Sequence, residues 1–144
     1  MTKPINFVVR GTPVSCQSKG LALRDWKRKI ASVARSRVPF STPAGEVAIS
    51  ITHYYTFMPR CDTDNVCKPI CDALSKIVYD DDHQLVERIA RRVPLARKFR
   101  LWGMPRELAM ALCEGREFVF IQIKCLDREA LWSMSRRVAW LWAS

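Results

Sequence analysis

The run EVAISITHYYTF at 46–57 constrains this chain more than any other segment, because its apolar residues alternate with polar ones. Val47, Ile49, Ile51, Tyr55 and Phe57 fall on one side of an extended backbone, and Ser50, Thr52 and Thr56 on the other; the spacing predicts a half-buried strand. His53 lies on the apolar side, where a hydrogen-bonded core histidine is the simpler reading than a ligand. The chain then passes through MPRC into DTDNVCK at 62–68, after which Val66, Ile70, Ala73, Leu74 and Ile77 recur at helical spacing. That stripe predicts a helix over 65–78, with the short acceptor side chain of Asp64 placed to cap it.

The rest of the chain supplies further elements for one core. INFVVR at 5–10, closed by Gly11 and Pro13, reads as a first strand. Leu23, Trp26, Ile30, Val33 and Val38 step by three and four into a helix over 21–38 that Pro39 stops. Its opposite face carries Arg24, Lys27, Arg28 and Arg35, either solvated or lying along a polyanion backbone. Residues 84–93 are ambiguous: Leu85, Val86, Ile89, Ala90 and Val93 make a helical stripe, but the Val, Ile and Arg content also suits a strand. Periodicity alone favours helix there. Pro105 near the start and Gly115 just past the end bracket a helix over 104–113, and EFVFIQIKC at 117–125 is another strand. Asp127 can cap a last helix carrying Leu131, Met134, Val138 and Leu141, with Trp132, Trp140 and Trp142 widening its apolar surface. At 144 residues, 49% of them apolar, the chain fits a single domain, and no stretch is long and apolar enough to span a bilayer. Without a secretory leader at the start of the sequence, we expect a cytoplasmic location and reduced thiols for the six cysteines.

A formal charge of +10, from 24 Lys and Arg against 14 Asp and Glu, favours polyanionic partners, with nucleic acid first among them. The acidic residues are not spread evenly: six of the fourteen lie between Asp62 and Asp82. Asp62 and Asp64 point the same way about 6.5 Å apart on an extended backbone but diverge by about 200° on a helix. They converge on one ion only if Asp62 precedes the helix, as the strand, turn and helix order here provides. A hard cation such as Mg²⁺ takes one or two carboxylates plus water and phosphate oxygens, and a third carboxylate from DDD at 80–82 completes the set if the chain doubles back. Lys68 projects from the polar face between Asp64 and Asp72. Two readings stay open for it: surface ion pairs with those neighbours, or an ammonium that meets a phosphate oxygen gaining charge in a transition state.

The segment DTDNVCKPICDALSKIVYDDDHQLVERIARR resembles the central motif of the RusA-type Holliday-junction resolvases: D-x-D-N-x-x-K, a helix with D-A-L, a short turn, then D-D-x-Q and an apolar residue. The resemblance is close over 62–92, with the strands at 46–57 and 117–125 in the family's order. It implies an α+β homodimer, a small mixed β-sheet with packed helices, that binds four-way or other branched DNA. It also implies paired symmetric nicks in recombination and repair, leaving ends that can be religated. The family's metal-site aspartates map to Asp62, Asp64 and Asp82 and its required lysine to Lys68; Mg²⁺ is the implied cofactor, with Mn²⁺ as a substitute. Asp80 is then a turn residue, Asp81 a neighbour of open role, and Asn65 and Asp72 capping and helix-face residues. The resemblance also makes 84–93 a strand, against the periodicity. DNA contacts are expected from Arg24, Lys27, Arg28, Lys68, Arg91 and Arg92.

Residues 94–116 and 127–144 exceed the family's compact core, and we read them as an insertion and a C-terminal helical extension of one domain over 1–144. From Arg88 to Arg106 there are seven basic residues and no acidic one, a run that suits a DNA-facing surface or a solvated loop. Cys61, Cys67, Cys71 and His83 raise a zinc site, but C-x5-C-x3-C matches no strong zinc spacing and buried thiols suit it better. Rival readings are a broader branch- or flap-cutting nuclease, a junction-binding protein without activity, and, most weakly, a zinc-dependent regulator.

Overall fold

The computed structural model describes residues 3–38 and 45–126. Among them run β1 (Ile5–Arg10), α1 (Leu21–Arg37), β2 (Glu46–Tyr55), α2 (Thr63–Leu74), β3 (Leu85–Pro94), α3 (Arg106–Glu114) and β4 (Phe118–Leu126), with a short 3-10 turn, Asp82–Gln84, leading into β3. The strands form one mixed sheet in the order β1-β4-β2-β3. β3 pairs parallel to β2, and β4 pairs antiparallel to both β1 and β2. This is the expected α+β class. A parallel neighbour requires a crossover, and α2 supplies it between β2 and β3.

Both faces of the sheet are covered, but by different helices. Phe7, Val9, Ile49, Ile51, Val119, Ile121 and Ile123 face Trp26, Ile30 and Ala34 of α1 and Val66, Ile70 and Leu74 of α2. On the other face Tyr54, Phe118 and Phe120 meet Leu108 and Ala111 of α3. The run FVFI in β4 is apolar at successive positions because that strand is central and packed on both sides. Gly115 ends α3 in the left-handed conformation, φ +69°, where a side chain would be strained.

Several expectations shift at element ends. β2 stops at Tyr55, so Phe57 lies past the strand and is 85% exposed instead of facing the core. Residues 85–94 are a strand, as the family resemblance implied and the periodicity did not. β3 is an edge strand whose apolar residues fall on both faces, which mimics a helical stripe. α2 ends at Leu74 rather than 78; the chain turns through Lys76, φ +70°, yet Val78 and Tyr79 are still buried in the core. The N-cap position of α2 is held by Asp62, not Asp64, which sits in the first turn. The helix expected over 127–144 lies outside the described residues. No helix among those described is long and apolar enough to cross a membrane.

Candidate active site

Asp62, Asp64 and Lys68 share the first turns of α2, and all three are exposed. Asp62 has extended backbone angles, φ −68° and ψ 155°, so its side chain leaves the turn before the helix winds Asp64 away. Asp62 makes no side-chain cap bond, and none of the three forms an ion pair with a described residue. The surface-pair reading of Lys68 therefore loses its partners; Asp72 pairs with Lys27 of α1 instead, at 3.6 Å. Arg88 of β3 feels the charge of Asp64 without forming an ion pair with it, and two carboxylates left free of ion pairs with described residues are a hard-oxygen donor set of the kind that suits Mg²⁺ or Mn²⁺.

The turn carrying Asp62 is tied down from β3. Arg92 is half-buried, and its Nη2 donates to the carbonyl of Cys61 at 2.9 Å. Of the expected DNA contacts, Arg24, Arg28, Lys68 and Arg91 are exposed, Lys27 is half-buried and engaged with Asp72, and Arg92 directs its guanidinium at the Asp62 turn.

The interior of α2 explains how the segment after β1 reaches this site. Pro69 lies inside the helix and has no N–H to give to the Asn65 carbonyl one turn back. That carbonyl instead accepts from the Cys16 N–H at 2.9 Å, and the Cys16 thiol donates to Asn65 Oδ1 at 3.2 Å. Asn65, the fourth residue of D-x-D-N, thus holds Cys16 against α2.

Asp82 sits elsewhere, and hydrogen bonds show why D-D-x-Q has its form. Asp81 caps the 3-10 turn by accepting from His83 N–H at 3.0 Å. Gln84 Oε1 accepts from the Asp80 and Asp81 N–H groups, at 2.8 and 3.0 Å, while its Nε2 donates to Gly45 O at 3.0 Å. Asp81 and Gln84 are thus occupied with structure, whereas Asp82 is exposed and has no capping duty. Leu85 pairs with Val47 and Arg92 with His53, and with the register shift after Val47 the six β2 steps between these pairs span about 20 Å at roughly 3.3 Å per residue. Asp82 stands beyond the first of these pairs and the Asp62 turn beside the second. Within one chain, then, the structure brings Asp62, Asp64 and Lys68 together and leaves Asp82 at the other end of β3. Among the described residues, no group of three His, Cys, Asp or Glu side chains is assembled that could hold a metal ion.

Behind the site, His53 is buried and its Nε2 lies 2.7 Å from Glu117 Oε1, while Thr12 Oγ1 donates to Glu117 Oε2 at 2.7 Å. Burial holds the His53 pKa below its ordinary 6.5 despite the carboxylate, and nearby Arg92 acts in the same direction. All six cysteines are free thiols. Cys67 and Cys71 lie 4.0 Å apart on the buried side of α2, where their shared hydrogen bond and then burial push the Cys71 thiol well above its ordinary value. The tether from Arg92, the Cys16–Asn65 contact and the His53–Glu117 pair were not foreseen in the sequence. Only Pro69, an interior helix proline that frees a carbonyl, signalled one of them.

A family model described as Endodeoxyribonuclease RusA matches residues 11–101 of the chain. No curated protein matches it.

Proposed function

The chain belongs to the RusA endodeoxyribonuclease family, whose match covers more than half of its length, and from that footing we propose that it resolves four-way DNA junctions by paired Mg²⁺-dependent nicks. The observation that carries this reading is the start of α2: Asp62 and Asp64 exposed and without an ion pair to any described residue, with Lys68 one turn on. Bound there, Mg²⁺ would polarise the scissile phosphodiester and lower the pKa of an attacking water, a role Mn²⁺ can share. The residues themselves do the rest. Asp62 and Asp64 supply hard oxygen ligands on a turn that Arg92 holds, and Lys68 offers its ammonium to a phosphate oxygen.

Asp82 enters this scheme through a twofold dimer. One protomer places the Asp62 turn beside Arg92, late in β3, and Asp82 just ahead of the start of that strand, so an antiparallel arrangement sets the acidic pair of one protomer beside Asp82 of the partner subunit. Two equivalent composite sites result, matching the symmetry of a junction cut twice. Among the described residues the outer edge of β3 has no neighbouring strand, which suits such a contact.

The test is cleavage of a synthetic four-way junction, a flap and a linear duplex with Mg²⁺. We expect paired nicks in the junction, and a loss of about a hundredfold or more in Asp64→Asn, since a metal ligand supports several kcal/mol of transition-state stabilisation. Equal cutting by Asp64→Asn would remove the site. Lys68→Ala should lower turnover by about 10²- to 10³-fold while junction affinity changes far less. A large affinity loss with unchanged turnover would make Lys68 a docking residue instead.

A further inference from the structure

We propose that Trp102 is a stacking platform for an unpaired DNA base. Residues 95–105 leave β3 at the same end of the sheet as the Asp62 turn, and the Leu95 N–H is bonded to the Tyr55 carbonyl at 2.9 Å. The aromatic residues of this loop point in opposite directions. Phe99 turns inward, edge-on to Tyr54 with ring centroids 5.8 Å apart, and Tyr54 in turn stacks on Phe118 at 4.7 Å. Leu95 and Met104 pack on the same cluster, so the loop is anchored at both ends.

Trp102 turns outward and is 92% exposed. A turn holds it there: Met104 N–H donates to the Leu101 carbonyl at 3.3 Å, and Gly103 has φ +81°. That is the conformation a type II turn needs at its third residue, and it puts Trp102 second, at the tip. The indole is therefore presented by a formed turn with an anchored base.

One exposed apolar side chain is ordinary on its own. Its surroundings are not. Arg97, Lys98, Arg100 and Arg106 flank it, no acidic residue lies between Arg88 and Arg106, and none of the four forms an ion pair with a described residue. Elsewhere in the chain Arg10 and Arg37 are matched by Glu114 and Glu107, at 2.6 and 2.7 Å. An acidic peptide would satisfy the cations without needing an indole, and an apolar protein surface would use the indole without the cations. A nucleic-acid strand uses both: its phosphates meet the cations and its bases offer flat faces to the ring. An intact duplex hides those faces in its stack, so the fitting ligand is an unpaired base, which branched DNA can expose next to the cut. The location beside a branch rests on the junction reading above; the stacking site can be measured without it.

The experiment compares the parent, Trp102→Ala and Trp102→Phe for binding to a short labelled oligothymidylate and to a duplex of equal length, by fluorescence anisotropy without metal. Thermal melting is followed alongside and should not move, because the side chain touches little. The alanine variant should bind the single strand about tenfold more weakly, the phenylalanine variant within about threefold of the parent, and duplex affinity should hold. Equal losses on both DNAs, or none on either, would overturn the proposal. So would a dimer weakened by Trp102→Ala with DNA affinity intact, which would assign the loop to a protein contact. Junction cutting by the parent is scored in parallel. Single-strand binding through Trp102 together with an uncut junction would sink the resolvase reading and leave the stacking site standing.

Discussion

Arg92 Nη2 donates a 2.9 Å hydrogen bond to the backbone carbonyl of Cys61, one residue before Asp62. A guanidinium read from sequence as a DNA contact is thus positioned to fix the turn that carries Asp62, one of the proposed metal ligands. A half-buried hydrogen bond from a charged donor is worth about 1.5 to 3 kcal/mol, and 1.4 kcal/mol is a factor of ten in binding. We predict that Arg92→Ala weakens Mn²⁺ binding, followed by electron paramagnetic resonance, about tenfold, and that Arg92→Lys recovers part of the loss. Junction affinity without metal should change less than in Arg91→Ala, whose exposed side chain points the other way from β3. A drop in metal-free junction affinity matching that of Arg91→Ala, with Mn²⁺ binding unchanged, would return Arg92 to the DNA surface.

The separation of Asp82 from Asp62 and Asp64 gives a test of the proposed dimer that no single variant provides. Asp64→Asn and Asp82→Asn subunits should each be inactive alone. If each site draws Asp82 from the partner subunit, a mixed dimer carries one site with both defects and one with neither. Refolding the two variants together at equal amounts should then recover about one quarter of the parental nicking, because half of the dimers hold one intact site out of two. Only single nicks should appear. A mixture as inactive as its components would place all three carboxylates in one chain, and an Asp82→Asn protein that still cuts alone would remove Asp82 from the site.

The parts of the site that share a local code were legible in the sequence. Alternation announced β2, the three-and-four stripe announced α2, and the position of Asp62 ahead of that helix followed from their junction. The capping error had a local cause, since Asp62 and Asp64 are equally good cap residues and only the backbone turn chooses between them. β3 could not be read from periodicity because an edge strand with apolar residues on both faces satisfies a helical template. Contacts between distant segments carry no local signal at all. His53 meets Glu117 across 64 residues, and Cys16 meets Asn65 across 49. Nor could D-D-x-Q reveal which aspartate is structural, because the assignment depends on Gln84 reaching back to Asp80 and Asp81 and outward to Gly45.

The His53–Glu117 pair should leave a mark on stability as pH falls. Burial holds the imidazole below its ordinary pKa of 6.5, so in the folded protein it takes up its proton only at a pH lower than the unfolded chain requires. As pH drops through 6.5 the unfolded state binds more protons than the folded one, and linkage then draws the equilibrium toward unfolding. The stability contributed by neutral His53 is complete above 6.5 and is lost as pH falls from there toward the folded-state pKa. One proton limits the slope to about 1.4 kcal/mol per pH unit. His53→Gln keeps an N–H donor for Glu117 Oε1 but cannot titrate. Denaturant melts between pH 7 and 5 should therefore show the parent losing stability faster than His53→Gln, with the curves running parallel above 7. Parallel curves across the whole range would mean that His53 titrates alike folded and unfolded, and that its burial beside Glu117 and Arg92 does not hold it neutral.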